Sequence, residues 1–405
     1  MMDQAASTTA STAVNTEASA ASSGASPVSP TASSTASSSE IAAGSGITVG
    51  ITPGANGRTR PPTIRDVAGE AGVSKSLVSL VFNGGENVSE ERRQRVLQAA
   101  ERLGYRPNLV AQSLSAGRRD LIAILVSNMH NPLFADIVAA AKARFGAAGR
   151  RTMIVSAQVD DGSGESMLDR DNLAVLRDLR PSGLLAIGTI PEFGELAELT
   201  QTVPTVVASA IDATRDTVAT VRTDDAAGIG LVVDHLIAQG LRRLVFIGGE
   251  GGTVSASRER AFREVARTRG LGDDARVERA DFTEAGARQA VERLLAQDRM
   301  PEAIVAVNDL TAVAVISALE EAGVPVPGGC RVTGYDDTTL SAIPRISLTS
   351  VDPDNRRIGR EAADALLAAA YPETAVAGAP VSAVQRGREL LIEPSLVVRG
   401  SSSAD

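Results

Sequence analysis

Few residues in this 405-residue sequence are equipped for covalent chemistry. His130 and His235 are its only histidines and Cys330 its only cysteine. Neither a GxSxG nucleophile elbow nor a GxxxxGKS/T phosphate loop occurs, and no cysteine or histidine spacing suits a metal, so catalysis would have to rest on carboxylates alone. No cofactor, metal or disulfide is expected. What the chain offers is residues for non-covalent recognition, in regions of opposite charge. Between Arg58 and Asp120, eleven Lys or Arg stand against seven Asp or Glu, a net of +4. Residues 1–57 carry only Asp3, Glu17 and Glu40, so with −9 for the whole chain the remainder holds −10. A basic segment on an acidic body suits a module that binds nucleic-acid phosphates while the body stays off them.

The elements that would position the basic residues are three short helices. Thr63 is a plausible N-cap with Asp66 three residues on, Ile64, Val67, Ala68 and Ala71 fall on one face, and Gly72 ends the first helix. Ser74 can cap a second helix that turns Leu77, Val78 and Val81 inward; Ser89 opens a third that runs to Leu103 and stops at Gly104. Ala68, Gly72 and Val78 stand at relative positions one, five and eleven. A helix-turn-helix needs a small residue where its helices touch, a glycine at the turn and an apolar residue to lock the second helix. After Pro107, the segment NLVAQSLSAGRR is too short for a free helix in water and should fold only against a partner.

Beyond Asp120 apolar runs alternate with amphipathic stretches. Leu121–Val126, Thr152–Ser156, Gly183–Ile187, Thr205–Ala208, Leu244–Ile247, Ala303–Val307 and Val332–Gly334 read as strands. Phe134–Ala148, Ala226–Gln239, Arg258–Arg269, Ala285–Ala296, Thr311–Ala322 and Arg357–Ala370 read as helices between them. This βα texture implies parallel sheets covered on both faces, and its length favours two doubly wound subdomains with a cleft between them. Ligands of such folds bind at the carboxyl ends of strands, where Asn131 and Phe134 stand, with Asp160 and Asp225 as weaker candidates. The Phe134 ring suits either stacking on a sugar or core packing.

Residues 1–60, rich in Ala, Ser and Thr, are too poor in large apolar side chains to order by themselves and read as a disordered tail. The start has neither the basic nor the apolar region of a signal peptide, and no apolar stretch approaches the roughly 20 residues of a membrane span. A cytoplasmic protein with no membrane partner is expected. The rest divides into 61–106, the helix-turn-helix; 107–119, a hinge helix or linker; 120–400, an α/β core; and a tail, 401–405. Within the core, one subdomain should span about 120–222 and 352–385, the other about 223–351 and 386–400.

The segment TIRDVAGEAGVSKSLVSLVFNGGENVSEERRQRVLQAAERLGYRPNLVAQSL closely resembles the headpiece of the LacI/GalR family of transcription regulators. The resemblance continues through SASRERAFREV, AVNDLTAVAVISAL and VTGYDDTTLSAIPRISLTSVDPD, which match that family's periplasmic-binding-protein-like core. It implies a repressor that binds a palindromic operator in double-stranded DNA as a homodimer, released or recruited by a small effector such as a sugar, and held on the nucleoid when bound. It places Lys75, Ser76 and Leu80 at base-reading positions, Ser74, Ser79 and Asn83 at phosphates, and Thr63 with the DNA-facing residues. Asn108, Ala111, Gln112 and Leu114 fall in the hinge helix, with Leu114 as the wedge entering the minor groove. Arg258, Asn308 and Asp336 become the effector residues, able to hold vicinal hydroxyls between a guanidinium fork and a carboxylate. Three departures stand out: Leu80 occupies a position where the family commonly has arginine, Glu259 and Ala261 replace an apolar residue and a glycine, and tryptophan is absent. Two other uses of such a core, an enzyme and a free solute-binding protein, would call for a catalytic constellation or for a signal peptide without a headpiece.

Overall fold

The structure is a computed structural model that describes residues 60–82, 88–106, 121–160, 166–190, 192–211, 218–372 and 388–403. The basic segment forms helices α1 (Ile64–Ala71), α2 (Lys75–Phe82) and α3 (Glu90–Leu103). The Asp66 carboxylate accepts from both the amide and the hydroxyl of Thr63, at 2.7 Å each, and binds Arg60 at 3.0 Å, which fixes the start of α1. Those hydrogen bonds from Thr63 hold the Asp66 carboxyl below the usual carboxylate range. Gly72 ends α1 at φ +64°, a conformation glycine adopts without Cβ strain. Val67, Ala68, Ala71, Val78, Val81, Val96, Ala99 and Ala100 make the small core, and the Phe82 and Tyr105 rings close one side 5.6 Å apart.

The rest folds around two six-stranded sheets. The first comprises β1 (Leu121–Val126), β2 (Arg151–Ser156), β5 (Gly183–Ile187), β6 (Thr205–Ala208), β7 (Ala219–Thr223) and β13 (Glu389–Ile392), in the order β13-β7-β6-β5-β1-β2. A short hairpin, β3 (Gln158–Asp160) with β4 (Ser166–Leu168), follows β2. The second sheet comprises β8 (Leu244–Gly249), β9 (Ala275–Ala280), β10 (Ala303–Ala306), β11 (Arg331–Tyr335), β12 (Thr349–Asp352) and β14 (Ser395–Val397), in the order β14-β12-β11-β10-β8-β9. All pairings in both sheets are parallel except β12 with β14. Helices cover both faces, which is why the central strands are almost wholly apolar: β5, β6 and β10 are buried along their whole length.

The chain passes between the sheets three times: after β7 into helix Asp225–Ala238, after β12 into helix Asn355–Ala370, and between β13 and β14. Two boundaries differ from expectation. Residues 389–392 belong to the first sheet, because β13 pairs with β7 and so covers an otherwise open edge of a buried strand. Ser401 and Ser402 are no tail: both are buried, Ser401 Oγ donating to the Val332 carbonyl at 2.6 Å and accepting from the Thr349 amide at 2.9 Å.

Candidate functional site

Helix α2 turns Val78 and Val81 into the headpiece core, so Lys75, Ser76 and Leu80 face outward; Leu80 is 40 % exposed, a large apolar side chain on a basic module. Ser74 caps the helix, its hydroxyl accepting from the Leu77 amide at 3.2 Å, and Ser79 is half-buried. Thr63 sits at the start of α1. Asn83, Asn108, Ala111, Gln112 and Leu114 lie outside the described residues.

At the carboxyl ends of both sheets lies a cavity of about 180 Å³. The first subdomain contributes Asn131 and Phe134, together with Ser127, Asn128, Gln158, Thr189 and Ser209, while the second contributes Arg258, Asn308 and Asp336, together with Gly251, Val254 and Phe282. Phe134 packs against the backbone of Gly188, at φ +80°, where a Cβ would come within 2.5 Å of its ring. Three asparagines that line the cavity each engage the carbonyl oxygen with a backbone amide, which leaves the NH₂ group as the donor of each side chain: Asn128 accepts from His130, Asn131 from Leu133 and Asn308 from Thr311, at 2.8, 3.1 and 2.9 Å. Such donors match the oxygens of a hydroxylated ligand.

Arg258 is 4 % exposed and heavily engaged. It donates Nε to Asp225 at 3.1 Å, Nη1 to the Val307 carbonyl at 2.7 Å and Nη2 to Asp336 at 3.1 Å, and its guanidinium lies 3.5 Å from the centre of the Tyr335 ring. Burial works against that charge, yet Asp336 and Asp225 hold the guanidinium above its ordinary pKa. One guanidinium cannot compensate every buried carboxylate around it. Burial pushes Asp336 up to about 7 against the pull of Arg258, and the neighbouring Asp309, held by Thr338 and Ser350, up to about 6. Burial likewise raises the Tyr335 phenol.

Of the sequence candidates, Asn131, Phe134, Arg258, Asn308 and Asp336 thus meet at one cavity. Asp225 does not: it lies behind Arg258, one oxygen on Arg258 and the other on Arg222. Asp160 is on β3, paired with Ser166. Sequence reasoning missed Phe282, whose only signal is its place just past β9, at a strand end like the others. Among the described residues no group of three or more His, Cys, Asp or Glu could hold a metal, and no helix is long and apolar enough to cross a membrane.

Two family patterns match this chain: "Bacterial regulatory proteins, lacI family" over residues 63–108 and "Periplasmic binding protein-like domain" over residues 233–402. Catabolite control protein A of Priestia megaterium is 31 % identical over 294 residues, 71 % of this chain and 86 % of that protein. The chain belongs to the LacI family. It is a DNA-binding transcriptional repressor with a periplasmic-binding-protein-like core, not an enzyme. The lac repressor dimer bound to operator and the anti-inducer ONPF has a TM-score of 0.69 at 26 % identity, covering 85 % of this chain and all of that one. The CelR regulator in complex with cellobiose has a TM-score of 0.60 at 28 % identity, covering 84 % and 100 %. In the core Glu259 is buried and bound by Arg263 and Arg279 at 2.8 and 2.9 Å, so its charge is compensated away from the cavity.

Proposed function

We propose that this repressor binds a palindromic operator as a homodimer and answers to a sugar or sugar derivative held in the cleft. The observation that carries the reading is the cavity between the two sheets, where Arg258, Asp336 and three asparagine amides converge on a chain that also bears a helix-turn-helix. Asp336 suits the donors of ring hydroxyls, the asparagines suit their oxygens, and the Phe134 and Phe282 rings suit the apolar face of a sugar. The similarity to a regulator complexed with cellobiose supports this class of ligand. On the DNA side, Lys75 and Ser76 read base edges, Leu80 touches a thymine methyl or leaves its step unread, and Thr63, Ser74, Ser79 and Asn83 hold phosphates. Hinge residues Asn108, Ala111 and Gln112 order when two copies meet over the operator centre, and Leu114 wedges into the minor groove there.

Ligand in the cleft changes the angle between the subdomains and hence the separation of the two hinge segments, which are too short to persist as helices alone. The test is a gel shift on the promoter upstream of the protein's own gene, with and without a panel of sugars and nucleosides. A sugar should alter retardation; a response only to nucleosides overturns the sugar assignment, and a response to neither removes the effector from the scheme.

A further inference from the structure

The three crossings between the subdomains are tied to the cleft by one chain of polar contacts, buried at the cleft and partly exposed at its outer end. Asp336, at the cavity, holds Arg258; Arg258 holds Asp225; the other oxygen of Asp225 accepts from Arg222 Nη1 at 3.1 Å; and Arg222 Nε donates to Glu389. Arg222 is the last-but-one residue of β7 and Asp225 the first of the next helix, so this pair spans the first crossing. Glu389 begins β13, the strand that leads into the third crossing. The second crossing is reached from the other end, where Asn355 Nδ2 donates to the backbone carbonyl of Asp336 at 3.3 Å.

Of the ionic side chains from Asp336 to Arg222, none is more than 13 % exposed, so water screens these contacts little. The acids and bases alternate, and each inner member shares its charge between two neighbours. A change at one end therefore alters the hold at the next. A ligand that competes for Asp336 or Arg258 changes how firmly Asp225 is drawn toward Arg258 rather than Arg222, and with it how firmly β7 and β13 are stapled where the subdomains join.

We infer that Arg222, which does not line the cavity, is the positioning residue that passes the state of the Arg258–Asp336 clamp to the crossings and so to the DNA-binding form. This rests on the reading of the cleft as the effector site and adds the route by which it is heard.

The test is a double-mutant cycle on full-length protein without added ligand, using an operator selected from random DNA by the wild-type protein. Asp336→Asn loosens the clamp as an occupant would and should change operator Kd about fivefold or more, within the ordinary range of allosteric coupling. In an Arg222→Gln background the same change should move Kd less than about twofold, and Arg222→Lys should restore part of the effect. A merely structural Arg222 would lower the melting temperature yet leave the fold-change from Asp336→Asn intact, and that result overturns the inference alone. If Asp336→Asn leaves Kd unchanged in the wild-type background, the regulatory reading of the cleft falls with it. Should Arg222→Gln not fold, Glu389→Gln, a partly exposed outer partner, takes its place: loss of the Asp336→Asn effect supports the route, and retention overturns it.

Discussion

Of the single side chains, Leu80 bears on what the proposed readout can recognise and Asp309 on the pH at which the core is stable. Leu80 projects from α2 with no donor for a base edge, whereas a bidentate arginine to guanine is worth about 1–3 kcal/mol of discrimination. Selection from random DNA by the wild-type protein should therefore return a half-site indifferent to guanine opposite Leu80, and Leu80→Arg should introduce a guanine there. A half-site unchanged by both Leu80→Arg and Lys75→Ala would take these residues out of the readout. Asp309 acts on stability. An unfolded aspartate releases its proton near 3.8, whereas burial holds that of Asp309 to about 6 in the folded core. The folded state thus keeps a proton that the unfolded chain has lost, and this contribution is full below about pH 4 and disappears as pH rises through about 6. The stability difference between the wild type and Asp309→Asn should decline by on the order of 3 kcal/mol across that window, at ~1.4 kcal/mol per unit of pH. Urea unfolding of both proteins from about pH 4 to pH 7 measures it, and a flat difference contradicts the buried, protonated carboxyl.

Among the elements, helices Leu133–Ala147 and Asn355–Ala370 pack closely because Gly359 lets their backbones approach: a Cβ there would lie 2.5 Å from the Ile137 carbonyl oxygen. Backbone cannot yield as the end of a flexible side chain can, so Gly359→Ala should cost about 1–3 kcal/mol. Thermal unfolding should show a lower midpoint for the variant, and an unchanged midpoint would mean that the helices can separate freely. The same helix pair carries Phe134 into the cleft and descends from the second crossing, so its packing positions the site as well as stabilising the first subdomain.

For the whole molecule, the partition of charge into a headpiece region of +4 and an acidic remainder has a kinetic and a thermodynamic consequence. Attraction to DNA is confined to one end of the chain, and affinity that rests on phosphate neutralisation weakens steeply as salt rises. Effector and operator are linked on the same chain, so each must change the other's affinity by the same factor. Calorimetry with the sugar that answers in the gel shift should give different effector affinities with and without operator, in the ratio by which that sugar changes operator affinity. Equal effector affinities in the two states would contradict the coupling.

The sequence by itself determined the headpiece and the βα order of the core, because caps, apolar periodicity and the turn glycine at Gly72 are local signals that need no distant partner. It also picked out Arg258, Asn308 and Asp336 through resemblance, and Asn131 and Phe134 through their place at a strand end. The tertiary structure decided what local signals cannot carry. Helix Thr253–Thr268 begins five residues before the expected Arg258, which puts that arginine mid-helix and buried rather than at the helix start. Asp225 turned from a cleft residue into the support behind Arg258, because Arg258, on a helix distant in sequence, and Arg222, at the end of β7, claim its two oxygens. Residues 389–392 went to the first sheet for a similar reason: a short strand is placed by whichever buried edge lacks a neighbour, here that of β7, and that edge exists only once the sheet is assembled.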